Sequence, residues 1–298
     1  MTTPSRPLQG ILWMIATGLC FIAVTAVVKH SAQDLPAAEA AFLRYLLGLI
    51  FVLPLARTLM ATRLTRRDLG LFAGRGLAHS LAVMMWFYAM TQIPIAEVTA
   101  MNYLNPVYVT LGAAIFLGER LQARRVMAVI AALLGVVVIL RPGFREVETG
   151  HLAMLGTAML FGGSYLLAKP LSDRHSAGMV VAMLSFTVTI GLAPFAAAVW
   201  VTPTVADLLW MFAVAFFATA GHYAMTRAFA AAPISVTQPV TFLQMVWAVL
   251  LGWALFDEPP DPFVILGAAI IIASVSFIAW RESRLKRQVT PPSGAGKY

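Results

Sequence analysis

The sequence predicts an all-α membrane protein of ten transmembrane helices, arranged as two inverted five-helix repeats around a central cavity. Three observations carry this expectation. Hydrophobic residues make up 60% of the 298 residues and charged residues only 11%, against about 45–50% and about 25% in an average soluble domain. Apolar windows long enough to cross a bilayer recur along the whole chain, and the second half repeats the first at a nearly constant offset. Folded in water, such a chain would expose large apolar patches and aggregate.

A spanning helix needs roughly 20 mostly apolar residues. The windows fall at Leu8–Val28, Ala37–Leu55, Leu69–Met90, Ile95–Leu117, Val126–Leu140, Leu152–Ala168, Met179–Trp200, Leu208–Ala230, Ile234–Phe256 and Phe263–Trp280. Length makes them helices, because barrel strands are nearer ten residues and alternate polar with apolar. The first is preceded by one arginine, Arg6, and has no small-residue cleavage site, so it reads as an uncleaved span. The fifth is short, and its flanks are expected to complete it. Ten such spans leave no room for a separate soluble domain.

The net charge of +8 would suggest nucleic acid in a soluble chain. In a chain this apolar, cations anchor cytoplasmic loops and meet anionic lipid head groups, so membrane lipids are the expected partner and nucleic acid is not. With the N-terminus inside, sixteen of the 21 Lys and Arg fall on cytoplasmic segments: Arg6, Arg57–Arg67, Arg120–Arg125, Lys169–Arg174, Arg227 and the tail from Arg281. Lys29, Arg141 and Arg145 fall outside, while Arg44 and Arg75 lie within spans. Both termini are therefore expected in the cytoplasm. The single cysteine, Cys20, rules out an intrachain disulfide.

A shift of 140 pairs Gly10 with Gly150, Thr17 with Thr157, Phe21 with Phe161, Lys29 with Lys169 and Pro54 with Pro194. A shift of 139 pairs Pro94 with Pro233, Ile95 with Ile234 and Glu119 with Glu258. These lysine, proline and glutamate matches weigh more than leucines, whose chance identity is high among apolar helices. The chain divides into residues 1–145 and residues 148–298, the second half carrying the basic tail. Five is odd, so the second half enters the membrane reversed. Inverted repeats are a recurrent plan of secondary transporters, whose halves flank a midplane site.

Trp86-Phe87-Tyr88-Ala89, Pro94, Leu104, Pro106 and Gly118-Glu119 resemble the signature of EamA-domain transporters in the drug/metabolite transporter superfamily. The second half repeats it more loosely as Arg227-Ala228, Pro233, Leu243 and Glu258. Arg44-Tyr45 resembles that family's early arginine–aromatic pair, although Leu184-Ser185 stands at the counterpart position. The resemblance covers essentially the whole chain. It implies a bacterial inner-membrane transporter with a cavity lined mainly by spans 1, 3, 4, 6, 8 and 9. It also implies export of small molecules, amino acids first among them, with no cofactor and a monomer or weak dimer. The rivals are a drug or lipid-precursor carrier of the same fold, an intramembrane enzyme and a non-transporting receptor or scaffold.

The sequence holds no P-loop, HExxH, GxSxG or clustered Cys/His spacing, so it nominates no catalytic residue and no metal ligand. Candidates come instead from polar side chains in apolar spans, whose cost in lipid favours a cavity-facing role. The third span has a stripe of His79, Val83, Trp86 and Met90. In the fourth, Thr99, Asn102, Tyr103 and Asn105 cover an arc of about 160° at about 100° per residue. The repeat maps Thr99, Asn102 and Asn105 onto Gln238, Thr241 and Gln244 of the ninth. The sixth offers Thr157, Ser164 and Tyr165, and the eighth Thr219, His222, Tyr223 and Thr226.

The candidate substrate-binding residues are His79, Trp86, Asn102, Tyr103, Tyr165, His222, Thr241 and Gln244. The competing reading of the amides is interhelical hydrogen bonding, worth about 0.6 kcal/mol. For the histidines, packing competes with proton transfer. Arg44 reads as a carboxylate contact or a loop brace, and Arg75 as a side chain that snorkels. Glu97, Glu119 and Glu258 read as caps or lid contacts at helix ends. Pro106 and Pro239 interrupt the fourth and ninth spans at different points. Gly135 and Gly267 suit close helix packing.

Overall fold

The computed structural model describes residues 6–31, 35–55, 62–117, 122–232 and 234–289. Arg57, Gly118-Glu119, Arg120, Pro233 and the end of the tail lie outside the described residues. The first half comprises α1 (Pro7–Ser31), α2 (Ala37–Gly48, continued by a 3-10 turn over Leu49–Leu55), α3 (Arg66–Gln92), α4 (Ile95–Asn102), α5 (Asn105–Leu117) and α6 (Ala123–Leu140). The second comprises α7 (Thr149–Ser172), α8 (Ala177–Ala198), α9 (Val205–Ala231), α10 (Ile234–Thr241), α11 (Leu243–Phe256) and α12 (Pro262–Val289). The described residues contain no strand, only an isolated bridge between Pro142 and Arg145.

Among the described residues, eight helical stretches are long and apolar enough to cross a membrane. The two predicted windows missing from that set, Leu69–Met90 and Ile95–Leu117, are helical too, and their departure has local causes. Arg66, Arg67, Asp68 and Arg75 lower the hydropathy of α3. The other window is divided into α4 and α5 by a turn at Tyr103 and Leu104. The short fifth window is completed by its N-terminal flank, as α6 begins at Ala123.

Helix bounds follow the repeat. Moving α4 by 139 residues gives the bounds of α10. The breaks within the two spans are also equivalent, although their prolines are not. At the first, Tyr103 N–H donates to the Ala100 carbonyl and Leu104 N–H to Met101. At the second, Phe242 N–H donates to Pro239 and Met245 N–H to Phe242. Both are tightened i→i+3 turns. Pro106 follows its break and Pro239 precedes its own, so the expectation of interruptions at different points is corrected: the prolines differ and the breaks coincide.

Packing crosses the halves. α1 lies on α9, α3 on α7, α2 on α8 and α6 on α12. Since α1 corresponds to α7 and α3 to α9, the first two pairs are one contact built twice. Between lipid-bathed helices apolar burial drives little, and close approach of small residues does more. A Cβ at Gly267 would lie 2.5 Å from the Gly135 carbonyl oxygen, and one at Gly135 would lie 2.8 Å from that of Gly267. These glycines join α6 to α12 within one chain. Gly267→Leu is expected to force the helices apart and cost about 1–3 kcal/mol, read as a lower melting temperature in detergent. An unchanged melting temperature would mean the helices separate freely.

Ion pairs tie helices together at both ends of the bundle. At one end Thr65 caps α3, its hydroxyl donating to Asp68 at 2.6 Å while Asp68 N–H donates back at 3.1 Å. Arg174, just beyond α7, donates to Asp68 at 2.9 Å. The Thr65 hydroxyl, helped by its backbone N–H and Arg174, holds the Asp68 carboxyl down at about 2. A depressed carboxyl stabilises the fold above its unfolded value of about 3.9, and that contribution disappears as pH falls toward the folded value. Asp68→Asn should therefore melt below wild type at neutral pH, with the gap narrowing between about pH 4 and 2. A gap independent of pH would contradict this account.

Candidate functional site

The polar side chains converge where α1, α2, α3, α7 and α9 meet. His79, in the middle of α3, approaches the Tyr45 hydroxyl of α2 through Nε2 at 3.0 Å and the Ser164 hydroxyl of α7 through Nδ1 at 3.2 Å. Either hydroxyl can donate or accept, so each tautomer of the imidazole is satisfied by rotating both hydroxyls. The result is a continuous Tyr45–His79–Ser164 hydrogen-bonded chain able to pass a proton between α2 and α7. The ring also lies 4.8 Å from Phe161, which stacks on Tyr165 at 6.2 Å.

On the facing side, His222 of α9 meets Phe21 of α1 edge-on at 5.1 Å. Arg44 is within electrostatic range of both imidazoles, and His222 is within range of His79. His222 is exposed, and Tyr165 is 45% exposed, despite these inward contacts. Exposed polar groups that also reach side chains of neighbouring helices mark a candidate recess between the halves.

The opposite end from Asp68 is tied shut. Lys29, in the last turn of α1, pairs with Glu258 at 2.5 Å and donates to the Ile93 carbonyl at 2.9 Å. The other Glu258 oxygen accepts the Ile95 N–H at 2.8 Å. One carboxylate thus joins α1, the start of α4 and the segment after α11. Next to it Arg145 donates twice to Glu97, at 2.8 and 2.7 Å, and His151 lies 2.5 Å from the same carboxylate. His151 Nδ1 accepts the Glu148 N–H, which places the ring proton on Nε2, facing Glu97. The 3.0 Å approach of Arg145 to Nε2 is then crowding around a shared acceptor, since both atoms are donors. Arg141 and Asp261 form a further pair beside a cavity of about 550 Å³.

The structure gathers only part of the sequence-predicted set. His79, Tyr165 and His222 share the recess. Tyr103 and Thr241 meet at the two helix breaks, where the Tyr103 hydroxyl donates to the Thr241 backbone carbonyl at 3.3 Å and its ring lies 5.7 Å from Phe242. Asn102 accepts from Asn105 across its own break at 3.1 Å, rather than pairing with half-buried Gln244. The Gln238 side chain lies outside the described residues. Trp86 is half-buried, with its ring against Phe87 of the same helix. In α9 the Thr219 and Thr226 hydroxyls donate to carbonyls of their own helix. Tyr223 turns toward Trp13 and Arg227.

Arg75 does not snorkel. It is 7% exposed and donates to the Val180 carbonyl of α8 at 3.2 Å, because α7 and α8 cover it before it can reach the helix end. Sequence reasoning left Phe21, Tyr45 and Phe161 out of the candidate set. The signals were present: Phe21 and Phe161 are repeat partners, and each packs on one of the two imidazoles. Among the described residues no group of three or more His, Cys, Asp or Glu could hold a metal ion.

An apolar helical bundle with ion-paired ends and a polar, aromatic recess between two similar halves defines a multi-pass membrane protein built to carry a small molecule. Residues 8–141 and 148–280 each match the EamA-like transporter family, and the chain belongs to that family. It is thus a transporter and not an enzyme. It is 31% identical to a riboflavin transporter of Rhizobium johnstonii, over 96% of this chain and 95% of the relative. It is 27% identical to a riboflavin transporter of Vibrio cholerae, over 97% and 98%. The pseudopaline exporter CntI of Pseudomonas aeruginosa is 26% identical over 89% and 94%.

Proposed function

We propose that the chain is a secondary transporter that carries a planar aromatic metabolite across the bacterial inner membrane by alternating access, with a flavin as the first candidate. The observation that carries this reading is the recess lining. Phe21, Tyr45, Phe161 and Tyr165 surround two imidazoles, and flat rings are held by such offset and edge-on contacts. Two of the relatives are riboflavin transporters, which agrees with an aromatic cargo. Export of amino acids is the second reading, favoured by Arg44, whose guanidinium suits an α-carboxylate.

Ten spans follow if α4 with α5, and α10 with α11, each cross once. The congruent helix bounds and duplicated contacts support two inverted five-helix units, and the charge distribution supports cytoplasmic termini. The Lys29–Glu258 tie supports a conformation shut at that end. Topology is tested by cysteine labelling from the periplasm after Cys20 is replaced. A cysteine at exposed Pro260 should react and one at exposed Arg66 should not. The reverse pattern contradicts the orientation. Cargo is tested by riboflavin fluorescence anisotropy on the purified protein, with twenty amino acids as competitors. Saturable riboflavin binding resistant to amino acids supports the flavin reading, and displacement by one amino acid supports the other.

A further inference from the structure

Four cations near the ends of this bundle have carboxylate partners. Lys29 has Glu258, Arg145 has Glu97, Arg141 has Asp261 and Arg174 has Asp68. Arg44 and Arg75, deep in α2 and α3, have none among the described residues. The Arg44 guanidinium lies 3.9 Å above the Tyr45 ring and is half-buried beside the recess. Arg75 gives one hydrogen bond to the Val180 carbonyl, while its Nε is buried without a partner. It lies within electrostatic range of Tyr45 and Tyr165. A guanidinium offers five donors in a planar fork. A ring face and one carbonyl leave most of them unused. Charges inside a membrane protein pair with one another or mark the path of a ligand. Here the pairing is missing and the recess is adjacent.

We propose that Arg44 and Arg75 form an anion subsite in the recess, so that the preferred cargo is an aromatic ring bearing a carboxylate or phosphate. The ring would lie among Phe161, Tyr165 and the imidazoles, with its charged group at the arginine pole. Arg44 is the direct contact, and buried Arg75 adds its positive charge from behind the wall. This rests on the recess being the cargo path. It goes beyond the flavin reading because neutral riboflavin would fill only the aromatic part.

Two matched pairs test it on the purified full-length protein at neutral pH. Riboflavin is compared with flavin mononucleotide by anisotropy, and indole-3-ethanol with indole-3-acetate by calorimetry. Within at least one pair the anionic member should bind about tenfold tighter or more, the effect of one charge-assisted hydrogen bond. A preference confined to the flavin pair identifies phosphate, and one confined to the indole pair identifies carboxylate. Arg44→Gln should reduce the preference, read as the ratio of anionic to neutral affinity within the variant, to within about twofold. Arg75→Gln should reduce it too, and serves as the second variant if Arg44→Gln does not fold. Neutral members binding as tightly as anionic ones in both pairs would overturn the proposal, as would a full preference retained in the variants. Arg44-dependent binding of indole-3-acetate with no binding of either flavin would leave the subsite standing and remove the flavin.

Discussion

Replacing Glu97 with leucine is expected to lower the unfolding free energy by about 3 kcal/mol, at the lower end for a broken buried ion pair. The carboxylate is 2% exposed and serves Arg145 twice and His151 once. Without it His151, 0% exposed, keeps a buried N–H with no acceptor. Arg145 is less stranded, because 26% of its side chain already meets solvent and can turn outward. That escape places the cost near 3 rather than 5. Glu97→Gln should cost less, since an amide oxygen still accepts from one partner. Thermal unfolding in one detergent would separate the three proteins. A leucine variant as stable as wild type would show that the cluster contributes nothing.

Replacing His79 with phenylalanine is expected to cut transport at least about tenfold and stability by about 1–3 kcal/mol, for different reasons. Ser164 is 0% exposed and Tyr45 is 7% exposed, so their hydroxyls lose a partner where water cannot easily replace it. The transport loss follows from position. The imidazole joins α2, α3 and α7 at the recess wall, and phenylalanine would push a fourth apolar ring among Tyr45, Phe161 and Tyr165. His79→Gln should recover much of the stability by bonding one hydroxyl. If it also recovers flux, hydrogen bonding suffices. If flux per folded molecule stays low, the proton-passing chain is needed. Full flux in His79→Phe would remove His79 from the path.

Helix positions were legible in the sequence because apolar runs of this length have one cheap solution in a bilayer, where every backbone polar group must be satisfied within the chain. The breaks were half legible. Pro106 announced one, but the equivalence of the second was carried by the repeat rather than by Pro239. Side-chain partners were less legible, because a stripe gives a direction on one helix and not the neighbour it faces. Asn102 and Gln244 lie on the matched polar faces of the fourth and ninth spans, yet Asn102 turns to Asn105 across its own break. The end-closing pairs join residues far apart, such as Lys29 with Glu258. Both were singled out as repeat members, and their meeting depends on how the halves dock. For the counterpart pair, Lys169 is described, whereas Glu119 lies outside the described residues.

The central claim is that the recess is a transport path for a flat aromatic cargo, and riboflavin counterflow tests it most directly. The purified chain, reconstituted into liposomes preloaded with unlabelled riboflavin, is given trace labelled riboflavin outside. The account predicts transient accumulation of label above equilibrium, abolished by His79→Phe and absent from protein-free liposomes. Binding without counterflow, or counterflow of amino acids with none of riboflavin, would contradict it.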